Sequence, residues 1–271
     1  MAFEERPFLY VVRADPPPGA EAEAAWNDWY TMHVADVTTR PGIIRGYRYQ
    51  AVWGPSDQPT YMAVYEVADE AALDQATIAN PTGHLPVDHQ YHGPRSTTGR
   101  NSRMAYQRVG PEPEWSRRPL RPYQAESSPA KAIMMPAQNR AESSGSFEDR
   151  QFLYVVRMDL LNREVEADFN RWYNMHVEDV CTRPGIEQGF RYQAVFGPTE
   201  QAQHMAIYEL ADEAAIEQAI IPNPLGHLPP ERQWNGPAGS MGNTSRMVFQ
   251  RIGPEPEWAA RPVLPFRSNE A

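Results

Sequence analysis

Apolar and polar positions alternate most regularly in GYRYQAVW, from Gly46, with Tyr47, Tyr49, Ala51 and Trp53 on one side and Arg48, Gln50 and Val52 on the other. A period of two predicts a strand. FLYVVR at Phe8 is short and β-rich and predicts another. Between them, in EAEAAWNDWYTMHVADVTT, Trp26, Tyr30, His33 and Val37 recur at helical spacing on one face. Pro41 and Gly42 end that helix. After a Gly-Pro turn, YMAVYEV reads as a hairpin partner, and Asp69 is placed to cap a short second helix. A Pro/Gly/His loop follows, then MAYQRV closes the sheet. The order is strand, helix, strand, strand, helix, strand.

The same order occurs twice. RYQAVWGP at Arg48 returns as RYQAVFGP at Arg191, NPTGHLP at Asn80 as NPLGHLP at Asn223, and SRMAYQRVGPEPEW at Ser102 as SRMVFQRIGPEPEW at Ser245. An offset of 143 residues, read between His33 and His176, aligns nearly everything from Trp26 to Trp115. A repeat of about 110 residues is a whole domain, not a solenoid unit. The expected organisation is a first unit over 1–115, a linker over 116–150 rich in Ser, Pro and Ala, and a second unit over 151–271. Each unit has the βαββαβ order of a ferredoxin-like α+β fold. Its two helices cover one sheet face. The strands are apolar on both faces, so the open face needs a partner, and the other unit supplies it. The expected architecture is two tandem units pairing within the chain, open face to open face, as an α+β barrel.

Composition narrows the functional classes. The net charge of −10 argues against nucleic acid, whose binding depends on cationic neutralisation of phosphates. No window approaches the roughly 20 apolar residues of a membrane helix. The start, MAFEERPFLYVVRAD, has no basic region leading into a long apolar run, so a cytoplasmic protein without membrane partners is expected. The single cysteine, Cys181, cannot form an internal disulfide, and its counterpart is Thr38, which reads as packing and not as a nucleophile.

The run W-x-x-W-Y-x-x-H-x-x-D-V-x-x-x-P-G, followed by an R-Y strand, resembles the EthD-like branch of the dimeric α+β barrel superfamily. It comprises Trp26, Trp29, Tyr30, His33, Asp36, Val37, Pro41, Gly42, Arg48 and Tyr49. The second copy has Trp172, Tyr173, His176, Asp179, Val180, Pro184, Gly185, Arg191 and Tyr192, with Phe169 for the first Trp. The resemblance covers both units but not the linker. It implies a small-molecule cavity beside the open sheet face. The family includes polyketide cyclases, ring-acid decarboxylases, isomerases, haem-using enzymes and members with no known activity. Most of its members build the barrel from two chains, whereas fusion lets two cavities diverge.

Candidate chemistry rests on paired histidines. His33 and His176 lie on the apolar helix face, with Asp36 and Asp179 one turn later at i+3. A carboxylate on one ring nitrogen fixes the tautomer and raises basicity at the other, which suits a general base. The competing reading is a structural His–Asp contact. His84 and His227 sit in proline-stiffened loops that could face the helical histidines across a ligand or simply brace a turn. His89 and His92 occur in the first copy only, opposite Arg232 and Asn235, so the two sites differ. Arg48 and Arg191 would hold a substrate anion if their strand face lines the cavity, and otherwise pair structurally, and Arg103 and Arg246 on the last strand have the same two readings. Trp29, Trp172, Tyr30, Tyr49 and Tyr192 would suit a flat ligand. The H-x4-H-x2-H spacing of His84, His89 and His92 matches no standard ligand pattern, so no metal is assigned. The leading expectation is a cofactor-independent acid/base enzyme acting on a small aromatic or polyketide-like acid or enolisable carbonyl, by lyase or isomerase chemistry. Haem- or metal-dependent oxygenation, and ligand binding without turnover, are the alternatives. The fused barrel leaves room for further pairing as a homodimer.

Overall fold

A computed structural model describes residues 6–74, 86–96, 100–124, 150–221 and 228–269. The first half runs β1 (Phe8–Ala14), α1 (Ala20–Thr38), β2 (Ile43–Gly54), β3 (Tyr61–Val67), α2 (Glu70–Leu73), β4 (Ser102–Gly110) and α3 (Pro113–Ser116). The second runs β5 (Phe152–Leu160), α4 (Glu166–Cys181), β6 (Ile186–Phe196), β7 (His204–Leu210), a π turn at Ile216–Ile220, β8 (Met241–Gly253), α5 (Pro256–Ala259) and β9 (Arg267–Ser268). The expected βαββαβ order is present twice. Helix α1 buries Trp26, Tyr30, Val34 and Val37, and Asp69 caps α2 by accepting from the Ala72 amide at 2.8 Å.

Within each half the sheet order is that of a ferredoxin-like unit, β4-β1-β3-β2 and β8-β5-β7-β6. The halves join edge to edge: β2 pairs antiparallel with β8, and β4 with β6. With β2 also bonded to β3, the eight strands form a closed ring and no long edge stays unpaired. Both open faces turn inward, as expected, but they form one continuous barrel wall, not two stacked sheets. An eight-stranded barrel is wide enough for its own side chains or for one small ligand, and here side chains fill it. Leu9, Val11, Tyr49 and Met62 from one half interdigitate there with Leu153, Val155, Tyr192 and Met205 from the other. That filling leaves the helix-covered outer faces and the mouths of the barrel as places for a ligand.

The described start of the linker is part of this wall. Gln124 bridges to Phe196 in parallel, as Arg267 does to Trp53 on the far side. RPLRPYQ from Arg118 and RPVLPFR from Arg261 are the repeated sequences behind these two straps. Each is fixed by a buried glutamine: Gln107 Nε2 donates to Pro119 O at 3.1 Å, and Gln250 Nε2 to Pro262 O at 2.9 Å.

Where β6 ends, Gly197 has φ 136°, and a Cβ there would lie 2.8 Å from the Arg103 carbonyl on the partner half's β4. Gly19 has φ 98° with nothing within 4 Å. Gly19→Ala therefore carries backbone strain alone, about 1–2 kcal/mol. Gly197→Ala adds overlap at the seam, for a total of about 3 kcal/mol or more. Urea unfolding of both variants measures the difference.

Candidate functional site

Two equivalent cavities lie between a helix and the outer face of its own sheet. The one in the second half has a volume of about 340 Å³ and is lined by Tyr154, Trp172, Tyr173, His176, Arg183 and Arg246, among others. The one in the first half, about 460 Å³, is lined by Trp29, Tyr30, His33, Tyr91, Arg95 and Arg103, among others. Both volumes suit a small organic ligand. The resemblance placed the cavity beside the open sheet face. It lies on the opposite face, because the barrel interior is full.

The helix presents Trp and His four residues apart, so their rings stack. Trp29 and His33 have centroids 4.7 Å apart, and Trp172 and His176 4.8 Å, both pairs at 16° between planes. In each histidine Nδ1 is sealed from solvent without a hydrogen-bond partner, which leaves Nε2 as the ring nitrogen free to meet a ligand. Burial lowers the pKa of His176 to about 4, helped by Arg183 and opposed by Asp179. His33 is lowered to about 4 in the same way, by burial, then Arg40, against Asp36. Both imidazoles are neutral at physiological pH.

The expected His–Asp bonds are not made. Asp36 takes His89 Nδ1 at 2.9 Å, and Asp179 takes Arg232 Nε at 2.9 Å. At i+3 the carboxylate is rotated about 60° around the helix from the histidine, toward the loop and not the sheet. The loop is also held by the tryptophan beneath it: Trp29 Nε1 donates to His89 O at 3.0 Å and Trp172 Nε1 to Arg232 O at 3.1 Å. A two-point clamp thus forms one wall of each cavity. His92 Nε2 meets Val87 O at 2.8 Å, a turn brace that Asn235 reproduces with Pro230 O at 3.1 Å.

Arg48 and Arg191 are not anion anchors. Their strand face lies under the helix, where Arg48 Nη1 donates to Asn27 O (2.9 Å) and Thr31 Oγ1 (3.0 Å). Arg191 Nη1 donates to Asn170 O (2.9 Å) and Asn174 Oδ1 (2.8 Å). Each guanidinium also covers the helix tyrosine, Tyr30 at 4.8 Å and Tyr173 at 4.7 Å. Tyr49 and Tyr192 occupy the alternate positions and point into the barrel core, away from either cavity. His84 and His227 lie outside the described residues. Burial pushes the Cys181 thiol up to about 12, consistent with a packing role.

The guanidiniums that reach the cavities are Arg183 and Arg246 in one and Arg95 and Arg103 in the other, where Arg40 lies near enough to His33 to lower its pKa. The last strand offers Arg103 and Arg246 as candidates from sequence, whereas Arg40 and Arg183 read as part of the TRPG turn until the topology brings helix end and strand end together. Trp234 and Tyr91 complete the aromatic walls.

No family model matches the chain, and no curated protein does either. Among solved structures, an anthrone oxidase-like protein aligns with a TM-score of 0.50 at 11% identity, covering 93% of this chain and 95% of that one. The fold is a dimeric α+β barrel closed within one chain. A candidate monooxygenase from Lactobacillus acidophilus NCFM aligns at 0.46 with 9% identity, over 92% and 95% of the two chains. A chlorite dismutase variant from Candidatus Nitrospira defluvii aligns at 0.43 with 10% identity, over 91% and 92%. No helix among the described residues is long and apolar enough to cross a membrane.

Among the described residues the helical histidines lack the second bond of a ligating imidazole, while His84 and His227 lie outside them. A ligating imidazole ordinarily donates its second N–H to a carboxylate or carbonyl. Here Nδ1 of His33 and of His176 has neither, because Asp36 and Asp179 are committed to the clamps. Among the described residues no three His, Cys, Asp or Glu side chains cluster as ligands.

Two outcomes follow. Asp179→Ala should speed amide exchange in the 232–235 segment and cost about 1 kcal/mol, a charge-assisted bond discounted for partial exposure. The lowered histidine pKa also has a sign. Between about 6.5 and about 4 the unfolded chain binds more protons than the folded one, so these imidazoles make stability fall as pH drops through that window. His176→Gln should flatten the stability–pH curve there, read by denaturation at successive pH values.

Proposed function

We propose that the helix–sheet cavities bind a flat, anionic aromatic or polyketide-like molecule and that the helical histidines move a proton on it. The observation that carries this reading is the neutral imidazole of His176, stacked on Trp172 with one open ring nitrogen, in an aromatic cavity that also holds Arg183 and Arg246. Aromatic walls favour a planar ligand, and the guanidiniums favour a carboxylate, phenolate or enolate oxygen. The helix motif's resemblance to the EthD-like branch supports the same substrate class.

The electrostatics supply a switch. In the free protein, burial and Arg183 keep His176 a weak base. An anion paired with Arg183 cancels that second influence, so the imidazole becomes more basic once substrate is in place. Proton removal from an enolisable carbon or hydroxyl then leaves an anion beside Arg246, and elimination, decarboxylation, cyclisation or isomerisation can follow. An oxygen-consuming outcome is the second reading. It is favoured by the anthrone oxidase-like structure, since an anthrone is itself a flat enolisable ketone. Oxygen uptake separates the two.

The test uses a panel of hydroxynaphthoates and aromatic β-keto acids, with binding read by tryptophan fluorescence and turnover by absorbance. His176→Ala should keep ligand affinity within a few-fold and lose about 100-fold or more in kcat. The acid limb of kcat should lie at higher pH than that of kcat/KM, because substrate raises the base. Unchanged turnover in the His33→Ala/His176→Ala double variant would remove the histidines from the reaction. Saturable binding with no product across the panel would make the protein a carrier.

A further inference from the structure

At one mouth of the barrel the inward faces of β1 and β5 end in Arg13 and Arg157, equivalent positions in the two halves. Both side chains are buried, 3% and 4% exposed. Each gives one N–H to a glutamine: Arg13 Nη1 to Gln58 Oε1 at 3.2 Å, Arg157 Nη2 to Gln201 Oε1 at 3.1 Å. Arg13 Nη2 also meets Met247 Sδ at 3.1 Å. The Nε of each is sealed from solvent and unpartnered. Among the described residues neither makes an ion pair with a carboxylate. Burial and Arg157 disfavour the charge on Arg13, only partly offset by Tyr106, Asp15 and Asp57. Two buried like charges with no ion pair of their own are costly unless something supplies a direct partner.

A cavity of about 560 Å³ opens over Arg157, lined by both halves and including the Gln58 that holds Arg13. It is bounded by Arg157, Gln58, Gln201, Ser102 and Ser245, with Asp57 and Glu200 also on the lining. Hydroxyl and amide groups dominate it, unlike the aromatic helix–sheet cavities. Asp57 and Glu200 are solvent-exposed, which opposes entry of a polyanion and suits a small ion with hydroxyl groups of its own.

We propose that this mouth is a second, separate ligand site, in which a small polar oxyanion of the carboxylate or phosphate class binds over Arg157, with Arg13 adding its charge from across the axis. Ser102 and Ser245 are placed to donate to it from the two sides. The size fits a short hydroxy acid or a phosphate ester better than a bare ion.

The test is calorimetry and thermal unfolding of the full chain with tartrate, malonate and inorganic phosphate, against sodium chloride at matched ionic strength. Tartrate against phosphate distinguishes the two sources of the anion. The expected result is saturable binding with a Tm that rises with ligand concentration. Arg157→Gln should weaken it at least about tenfold, and Glu200→Gln should strengthen it about twofold. No saturable binding by any of the three ions, or equal binding by Arg157→Gln, overturns the proposal. Should Arg157→Gln fail to fold, unchanged affinity in Glu200→Gln overturns it instead.

Discussion

The hydrogen-bonded seams between β2 and β8 and between β4 and β6 govern everything else in this molecule. A ferredoxin-like unit alone has an apolar sheet face and two free edges, both invitations to association. Pairing the edges removes both at once. Closure at eight strands leaves an interior that side chains fill, so ligand space is displaced to the layer between helix and sheet and to the barrel mouth. The straps at Gln124 and Arg267 reinforce the same seams, each half lending its tail to the other's β2-type strand. Fusion therefore preserves a two-fold device within a single chain.

Duplication also shows which contacts the site requires and which it tolerates changing. The clamp survives with different chemistry, Asp36 with His89 in one half and Asp179 with Arg232 in the other. The stacked Trp–His pair and the tethered Arg48 or Arg191 are kept in both halves. The walls diverge: Ala14 becomes Met158 and Tyr91 becomes Trp234, larger side chains at equivalent positions and the smaller cavity of the two. Beneath the helix, Tyr61, hydrogen-bonded to Glu23 and Asn27, becomes His204, whose two ring nitrogens are buried without partners. Burial, then Arg191, pushes His204 down to about 3, so it is a neutral packing group.

Much of this was legible from residue order. The repeat, the strand–helix order, the buried face of α1 and the need for a partner sheet all follow from periodicity. Which side of a strand faces where did not. GYRYQAVW separates Tyr49 from Arg48, but both sides of that strand are buried, so alternation alone cannot assign one to the barrel and the other to the helix. The His33–Asp36 spacing invited a local bond, yet a loop residue 53 positions away competes for the carboxylate and wins. Arg246, like Arg48, has two possible faces on its strand, and Arg183 sits in a motif that reads as a turn, so only the tertiary fold places both in the cavity with His176.

The barrel interior contains its own comparison for the treatment of buried charge. At one end Arg6 lies 3.0 Å from Glu66, and Arg150 lies 3.0 Å from Glu209, so the chain carries the counter-ions for its own arginines. Arg108 and Arg251 are likewise matched by Glu112 and Glu255. Glu209 is buried deeply enough that desolvation raises its pKa to about 7 even against Arg6 and Arg150. Acids are thus placed inside this fold at a real energetic cost where arginines need them. At the opposite mouth Arg13 and Arg157 are equally buried, but Gln58 and Gln201 bond them where acids could, and the buried carboxylates nearby are committed to other groups, Asp15 to Arg100 and the Thr60 amide and Asp159 to the Gln203 amide. Neutral amides orient a guanidinium without cancelling its charge, which is what a site must do if the cancelling charge is to arrive from outside.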